Sequence, residues 1–190
     1  MIYIIRHGQT AKNKANLLQG RSDIPLNEEG RRQAEEAAAR FKENGISFDL
    51  CYTSPLVRAV ETAEIIARGI PAERDARLIE MDYGPYEGMD LMNPAPEIME
   101  FFSDFAHNPA PCGMEQLSSV IARAGEFMED IRHLTEDRTI LISTHAIAMK
   151  GVLEYLTPES KGGYWSKYIG NCGVYAIPVS GGGYDIPYEI

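Results

Sequence analysis

At 190 residues, with 44% apolar and 24% charged side chains, the chain has the length and balance of a soluble globular protein able to bury a core. A formal net charge of −10 repels a phosphate backbone and argues against general nucleic-acid binding, so any phosphate-bearing ligand must meet cations concentrated at one place against the overall field. Cys51, Cys112 and Cys172 are odd in number and widely spaced, charge arrives already at Arg6, and no apolar run reaches membrane-spanning length; these features predict a cytoplasmic protein with no disulfide framework, zinc site, signal peptide or membrane partner.

Residues 2–6, Ile-Tyr-Ile-Ile-Arg, form a short apolar run of the kind that makes a strand covered on both faces. Residues 28–44 have helical periodicity: Ala34, Ala37, Ala38 and Phe41 make an apolar stripe, and Glu28–Arg32 and Glu36–Arg40 are (i, i+4) pairs. Asn27 is placed to cap the start of that helix and Gly45 to end it. A second strand is predicted at 48–53, then Ser54 as N-cap, Pro55 at the first helical position, and a helix to about Arg68 stopped by Gly69. Residues 78–122 break the alternation; rich in Pro, Met and Phe, with one short helix near 95–106, they read as an insertion folded over the sheet, a candidate lid. A long helix follows over 115–135, then a third strand over 139–143 running into Thr144-His145, and a helix to about Leu156 closed by Pro158. Residues 173–179 and 184–188 read as a closing hairpin about Gly181-Gly182-Gly183. Strands alternating with helices predict one α/β domain over 1–190, with a mostly parallel sheet covered on both faces.

In such a sheet, ligands bind at the carboxyl ends of the strands, where helix N-termini also point. The predicted strands end at Arg6-His7-Gly8, at Thr53-Ser54 with Arg58 one turn beyond, and at Thr144-His145. Singly, each of these residues reads as a turn or surface group. Two histidines and two arginines at one rim, from distant segments, read as a phosphoryl-transfer site. Phosphate monoesters hydrolyse very slowly unaided, so a catalyst must neutralise oxygen charge and hold a nucleophile in line. Arginine offers a planar, permanently charged fork to two phosphate oxygens, and a neutral imidazole can attack phosphorus to give a phosphoramidate that water cleaves. One histidine can attack while the other donates to the phosphoryl oxygens. With these cations present, neither a metal nor another cofactor is required.

These residues resemble the histidine phosphatase superfamily, the phosphoglycerate mutase-like family, over nearly the whole chain. Arg6-His7-Gly8-Gln9-Thr10 with Asn13 resembles its RHG motif, and Gln19-Gly20-Arg21-Ser22-Asp23-Ile24-Pro25-Leu26 with Gly30 its second signature. Ser54-Pro55-Leu56-Val57-Arg58-Ala59 with Thr62-Ala63 resembles the third, Leu78-Ile79-Glu80 with Tyr83-Gly84 and Glu87-Gly88 the segment bearing the acid, and Ser143-Thr144-His145 the second histidine. The resemblance implies a three-layer α/β/α sandwich with the small helical insertion over the carboxyl ends of the strands. It implies His7 as nucleophile, Arg6, Arg58 and His145 as the phosphate pocket, and Glu80 as proton donor to the leaving oxygen and later base for water. It sets Asn13 and Gln19 beside the phosphate, with Thr10, Gly20 and Ala146. Two positions depart from the usual pattern: Ala146 stands where glycine is usual, and Tyr86 where tryptophan is common.

The expected activity is hydrolysis of a small phosphomonoester through phosphohistidine. Between Arg77 and Arg123 there is no Lys or Arg, but there are eight acids and a Met/Phe-rich set including Met89, Met92, Met99, Phe101, Phe102 and Phe105. As a roof, that segment would repel a carboxylate-bearing leaving group and favour a neutral, partly apolar one; the same Met/Phe set reads equally well as a small satellite core. A phosphoglycerate mutase-type phosphotransferase is the alternative. A non-catalytic phosphate-binding protein ranks lower, because His7, His145, both arginines and Glu80 are all present. Oligomeric state is not legible.

Overall fold

A computed structural model describes residues 1–190. β1 (Ile2–Arg6) is apolar on both sides because both sides are covered: Ile2 and Ile4 join one buried cluster and Ile5 another. It pairs in parallel with β4 (Ile140–Thr144), which is buried throughout, and β4 pairs in parallel with β2 (Leu50–Thr53). The register sets Arg6 opposite Thr144 and Thr53 opposite Ser143, so the three strands end level. β3 (Ala72–Arg74) adds a parallel edge beyond β2. On the other side β5 (Val174–Ile177) runs antiparallel to β1, and β8 (Tyr188–Glu189) completes a six-stranded sheet of order β3-β2-β4-β1-β5-β8.

Helices cover both faces, as expected of an α/β sandwich. After the single turn α1 (Ala11–Lys14), α2 (Glu28–Glu43) and α3 (Val57–Ile66) lie on one, with Ala34, Ala37, Phe41, Ala63 and Ile66 packed on Ile5, Cys51 and Leu141. α5 (Leu117–Ile131) and α6 (Ala146–Leu156) lie on the other, with Phe127, Met128, Ile131, Met149, Val152 and Leu153 against Ile2, Ile4 and Ile142. The insertion carries α4 (Pro96–Ser103) and builds a third cluster. There Met81, Tyr83, Ile98, Phe101 and Met114 pack with Leu18, Ile147 and Trp165. Phe102, Phe105 and Met89 lean on that cluster, which is the satellite-core reading of the Met/Phe set. Met92 and Met99 remain exposed. No helix is long and apolar enough to cross a membrane.

Several local expectations need correction. Asn27 does cap α2, accepting the Gly30 N–H at 2.8 Å, but the Glu28–Arg32 and Glu36–Arg40 pairs do not form. Arg32 bonds Glu29 and Glu36 instead, and Arg31 reaches Glu61 on α3; exposed pairs are weak enough for near neighbours to exchange partners. α3 begins at Val57, two residues later than a Ser54-Pro55 start requires, because its Val57 N–H is capped from afar by Asp23 Oδ1 at 2.7 Å. It also ends at Ile66 rather than Arg68. β3 escaped prediction because, paired on one side only and largely exposed, it needs no apolar pattern. The expected closing hairpin shrinks to β6 (Val179–Ser180) with β7 (Gly183–Tyr184), and the chain then returns to β5 as β8.

One close approach sets the position of the carboxyl edge of the sheet at β1. The first turn of α2 rests directly on the backbone leaving β1: a Cβ on Gly8 would fall on the Gly30 carbonyl, and a Cβ on Gly30 on the Gln9 carbonyl. Gly30→Ala is therefore expected to lower stability by about 1–3 kcal/mol through overpacking. Urea unfolding measures this, and an unchanged midpoint would refute the contact.

Candidate active site

β1 delivers Arg6 and His7, β4 runs through Thr144 into His145 at the N-cap of α6, and Arg58 lies in the first turn of α3 beyond β2. The ladder continues to the nucleophile candidate itself, since the His7 N–H donates to Thr144 O at 2.9 Å. The two imidazoles meet in a T-shaped contact with ring centroids 5.1 Å apart. His7, Arg58, Glu80 and His145 are all buried.

His7 Nδ1 lies 2.7 Å from Gly8 O. A carbonyl only accepts, so Nδ1 carries the ring proton and Nε2 keeps its lone pair. That lone pair faces the Arg58 Nε–H at 3.1 Å. The rest of the Arg58 guanidinium donates to Ser22 O at 2.8 Å and Gly20 O at 2.6 Å, and Arg6 Nη1 donates to Ile169 O at 2.6 Å. Both arginines are thus held by backbone carbonyls, not by carboxylates, and keep their full charge. Burial brings Arg58 down to about 10, still protonated at neutral pH. Burial, then Arg58 and Arg6, push the His7 imidazole well below its ordinary range; burial, Arg58, His7 and Arg6 do the same to His145. Three buried nitrogens here have no protein partner: Arg6 Nε, Gln19 Nε2 and His145 Nδ1. Buried polar groups left this way are uncommon, and a tetrahedral oxyanion is the kind of ligand that would satisfy them.

Glu80 lies at the N-terminus of α6, where its carboxyl accepts the N–H groups of Met81 at 2.9 Å, Ala148 at 3.0 Å and Ile147 at 3.3 Å. Ala146 is the first residue of α6. Gln19 is oriented by Thr10, whose hydroxyl donates to Gln19 Oε1 at 2.7 Å and so fixes which end of the amide is free. Asn13 is engaged locally: its Oδ1 accepts the Thr10 N–H at 3.1 Å and Asn171 Nδ2 at 3.3 Å, closing a capping box. Gly20 leaves no room for a side chain, since a Cβ would come within 2.7 Å of Met81 O and Tyr83.

Sequence reasoning missed the far wall of the site. Asn171 Nδ2 donates to His7 O at 3.0 Å, and Ile169 supplies the carbonyl that holds Arg6. A carbonyl has no residue signature; the flanking Gly170 and Gly173 were the available signal of a backbone making close turns. The charge of the roof also differs from expectation. Of the eight acids in 78–122, only Glu100 makes no side-chain bond: Lys12 holds Glu87, Arg21 holds Asp82 and Glu115, Arg123 shares Glu115, and the others bond local groups. Lys150 of α6, lowered to about 8 by burial, sits under the Phe105 ring with its Nζ donating to Trp165 O at 2.8 Å. The segment's own composition therefore does not set the local field, and the argument against a carboxylate-bearing leaving group loses its basis.

The model of the histidine phosphatase superfamily (branch 1) matches residues 2–188. A 2,3-bisphosphoglycerate-dependent phosphoglycerate mutase of Bradyrhizobium diazoefficiens is 31% identical over 172 residues, covering 84% of this chain and 83% of the mutase. Among solved structures, Bacillus stearothermophilus YhfR is 32% identical with a TM-score of 0.86, covering 97% of this chain and 94% of its own. Phosphoserine phosphatase of Entamoeba histolytica in complex with phosphoserine is 27% identical with a TM-score of 0.83, covering 99% and 93%. The same amoebal enzyme is also solved with 3-phosphoglyceric acid.

The lowered imidazoles have a consequence for stability. Below about pH 6.5 the unfolded chain protonates His7 and His145 while the folded protein does not, so protons favour unfolding. Between pH 6.5 and 5 the ligand-free protein is expected to lose up to about 1.4 kcal/mol per pH unit for each of the two. Denaturation at a series of pH values tests this against a His7→Asn/His145→Asn variant, whose curve should be flatter; parallel curves would refute it.

Proposed function

Because the chain belongs to the histidine phosphatase superfamily, we propose that it hydrolyses small phosphomonoesters through a phosphohistidine on His7. The observation that carries this reading is the His7 Nε2 lone pair directed at an arginine N–H, beside buried donors that lack protein partners. A phosphoryl group entering there would take the place of the Arg58 N–H at His7 Nε2, with the ester oxygen in line on the far side of phosphorus, and would have the guanidinium groups of Arg6 and Arg58, the Gln19 amide and His145 around its other oxygens. In the first half-reaction the His7 N–P bond forms as the ester P–O bond breaks, and Glu80 gives its proton to the departing alkoxide oxygen. In the second, water attacks phosphorus, Glu80 takes a proton from it, the N–P bond breaks, and phosphate leaves. The Gly8 carbonyl keeps the His7 proton on Nδ1 and stabilises the positive charge that develops on the ring. The three backbone N–H groups about Glu80 hold its carboxyl in one place for both transfers.

The mutase reading has a specific observation in its favour, the identity to phosphoglycerate mutases over most of the chain. A mutase keeps its phosphohistidine until an acceptor arrives, whereas a phosphatase passes it to water. Phosphoserine and 3-phosphoglycerate, the ligands of the amoebal enzyme, belong first in a substrate panel.

Phosphate release across such a panel is expected to vanish in His7→Ala. Glu80→Gln should slow alkyl phosphates by about 10²–10⁴-fold while sparing aryl phosphates, whose leaving oxygen needs little protonation. Equal losses on both classes would remove Glu80 from the donor role. Rapid-quench trapping of the phosphoenzyme decides between hydrolase and mutase: decay independent of added 3-phosphoglycerate supports the hydrolase, and decay that requires it supports the mutase.

A further inference from the structure

Ser54 occupies the position the sequence offers as a helix cap, but Asp23 supplies that cap and leaves the serine hydroxyl for another use. Ser54 and His145 are both fully buried. Ser54 Oγ lies 2.7 Å from His145 Nε2 and accepts the Leu56 N–H at 3.3 Å. The opposite ring nitrogen, Nδ1, has no protein partner.

The direction of the hydrogen bond follows from counting donors and acceptors. One lone pair of Ser54 Oγ is taken by the Leu56 N–H, and the hydroxyl hydrogen needs an acceptor in a place where an unpaired one is costly. His145 Nε2 is the acceptor within reach, so Ser54 donates to it. Burial among Arg58, His7 and Arg6 keeps this ring uncharged, and a neutral imidazole carries a single N–H. Which nitrogen bears it decides whether the free edge of His145 gives a hydrogen bond or presents a lone pair. Only the first attracts a phosphoryl oxygen.

We propose that Ser54 is a positioning residue whose hydroxyl, by donating to His145 Nε2, holds the imidazole proton on Nδ1, the edge offered to the phosphoryl group. The role rests on the phosphoryl-transfer reading above, but the tautomer is a property of the protein without substrate and is measured separately.

Nitrogen-15 NMR of the labelled full-length protein at neutral pH is expected to show His145 with a protonated Nδ1 and an unprotonated Nε2. Ser54→Ala should shift the pattern towards the other tautomer and lower kcat by about 10- to 100-fold, with KM changed far less, since the lost donor acts on the developing charge. Ser54→Thr, which keeps the hydroxyl, should restore both the tautomer and kcat. A wild-type His145 protonated on Nε2 would overturn the proposal without reference to any variant, and so covers the case in which Ser54→Ala fails to fold. A Ser54→Ala protein with unchanged tautomer and kcat would overturn it as well. The expected tautomer in a protein that turns over no phosphomonoester would uphold the role of Ser54 and defeat the proposed function.

Discussion

Arg58 is fully buried with no carboxylate bonded to it, and the carboxyl edge of the sheet is organised around that fact. Removing a guanidinium from water costs several kcal/mol even after relaxation, and an acid partner is the usual compensation. Here the compensation comes from the carbonyls of Gly20 and Ser22, which satisfy its hydrogens and leave its charge uncancelled. Those carbonyls are in place because Gly20 has no side chain, because its N–H is tied to Glu87, and because Asp23 reaches across to the start of α3. Arg6 follows the same scheme through Ile169 O. Positive charge is concentrated locally in a chain whose net charge is −10, as phosphate chemistry demands of an acidic protein.

The insertion serves this edge from above. Its aromatic and Met side chains form a core of their own that takes in Ile147 of α6 and Trp165 of the loop after it, so the elements bearing Glu80, His145 and the far wall are packed as one unit. Arg21 and Arg123 fasten its acidic margin to the neighbouring loop and helix, and Arg123 also donates to the Arg77 and Ile79 carbonyls just before Glu80. Asp82, Glu87 and Glu115 are thereby spent on holding the insertion in place.

How much of this was legible follows a physical division. β1 and β4 could be read because strands buried on both faces must be continuously apolar, and α2 because a cap, a stripe of alanines and a terminating glycine all agree. The convergence of His7, Arg58 and His145 was legible because histidine and arginine at strand ends are types that core packing does not call for. What escaped were roles played by backbone or by partners remote in sequence. Ile169 acts through a carbonyl, the cap of α3 is supplied 34 positions away by Asp23, and Arg32 chose among several nearby glutamates. Composition failed in the same way at the roof, where charges from Lys12, Arg21 and Lys150 offset what the segment's own residues suggest.

The unpartnered nitrogens of Arg6, Gln19 and His145 have one more implication. On the proposed reading they address phosphoryl oxygens, and those oxygens are chemically alike whether an organic group is attached or not. On that reading orthophosphate can occupy the same cage, and discrimination falls to whatever the leaving group touches outside it. A hydrolase built this way would be slowed by its own product.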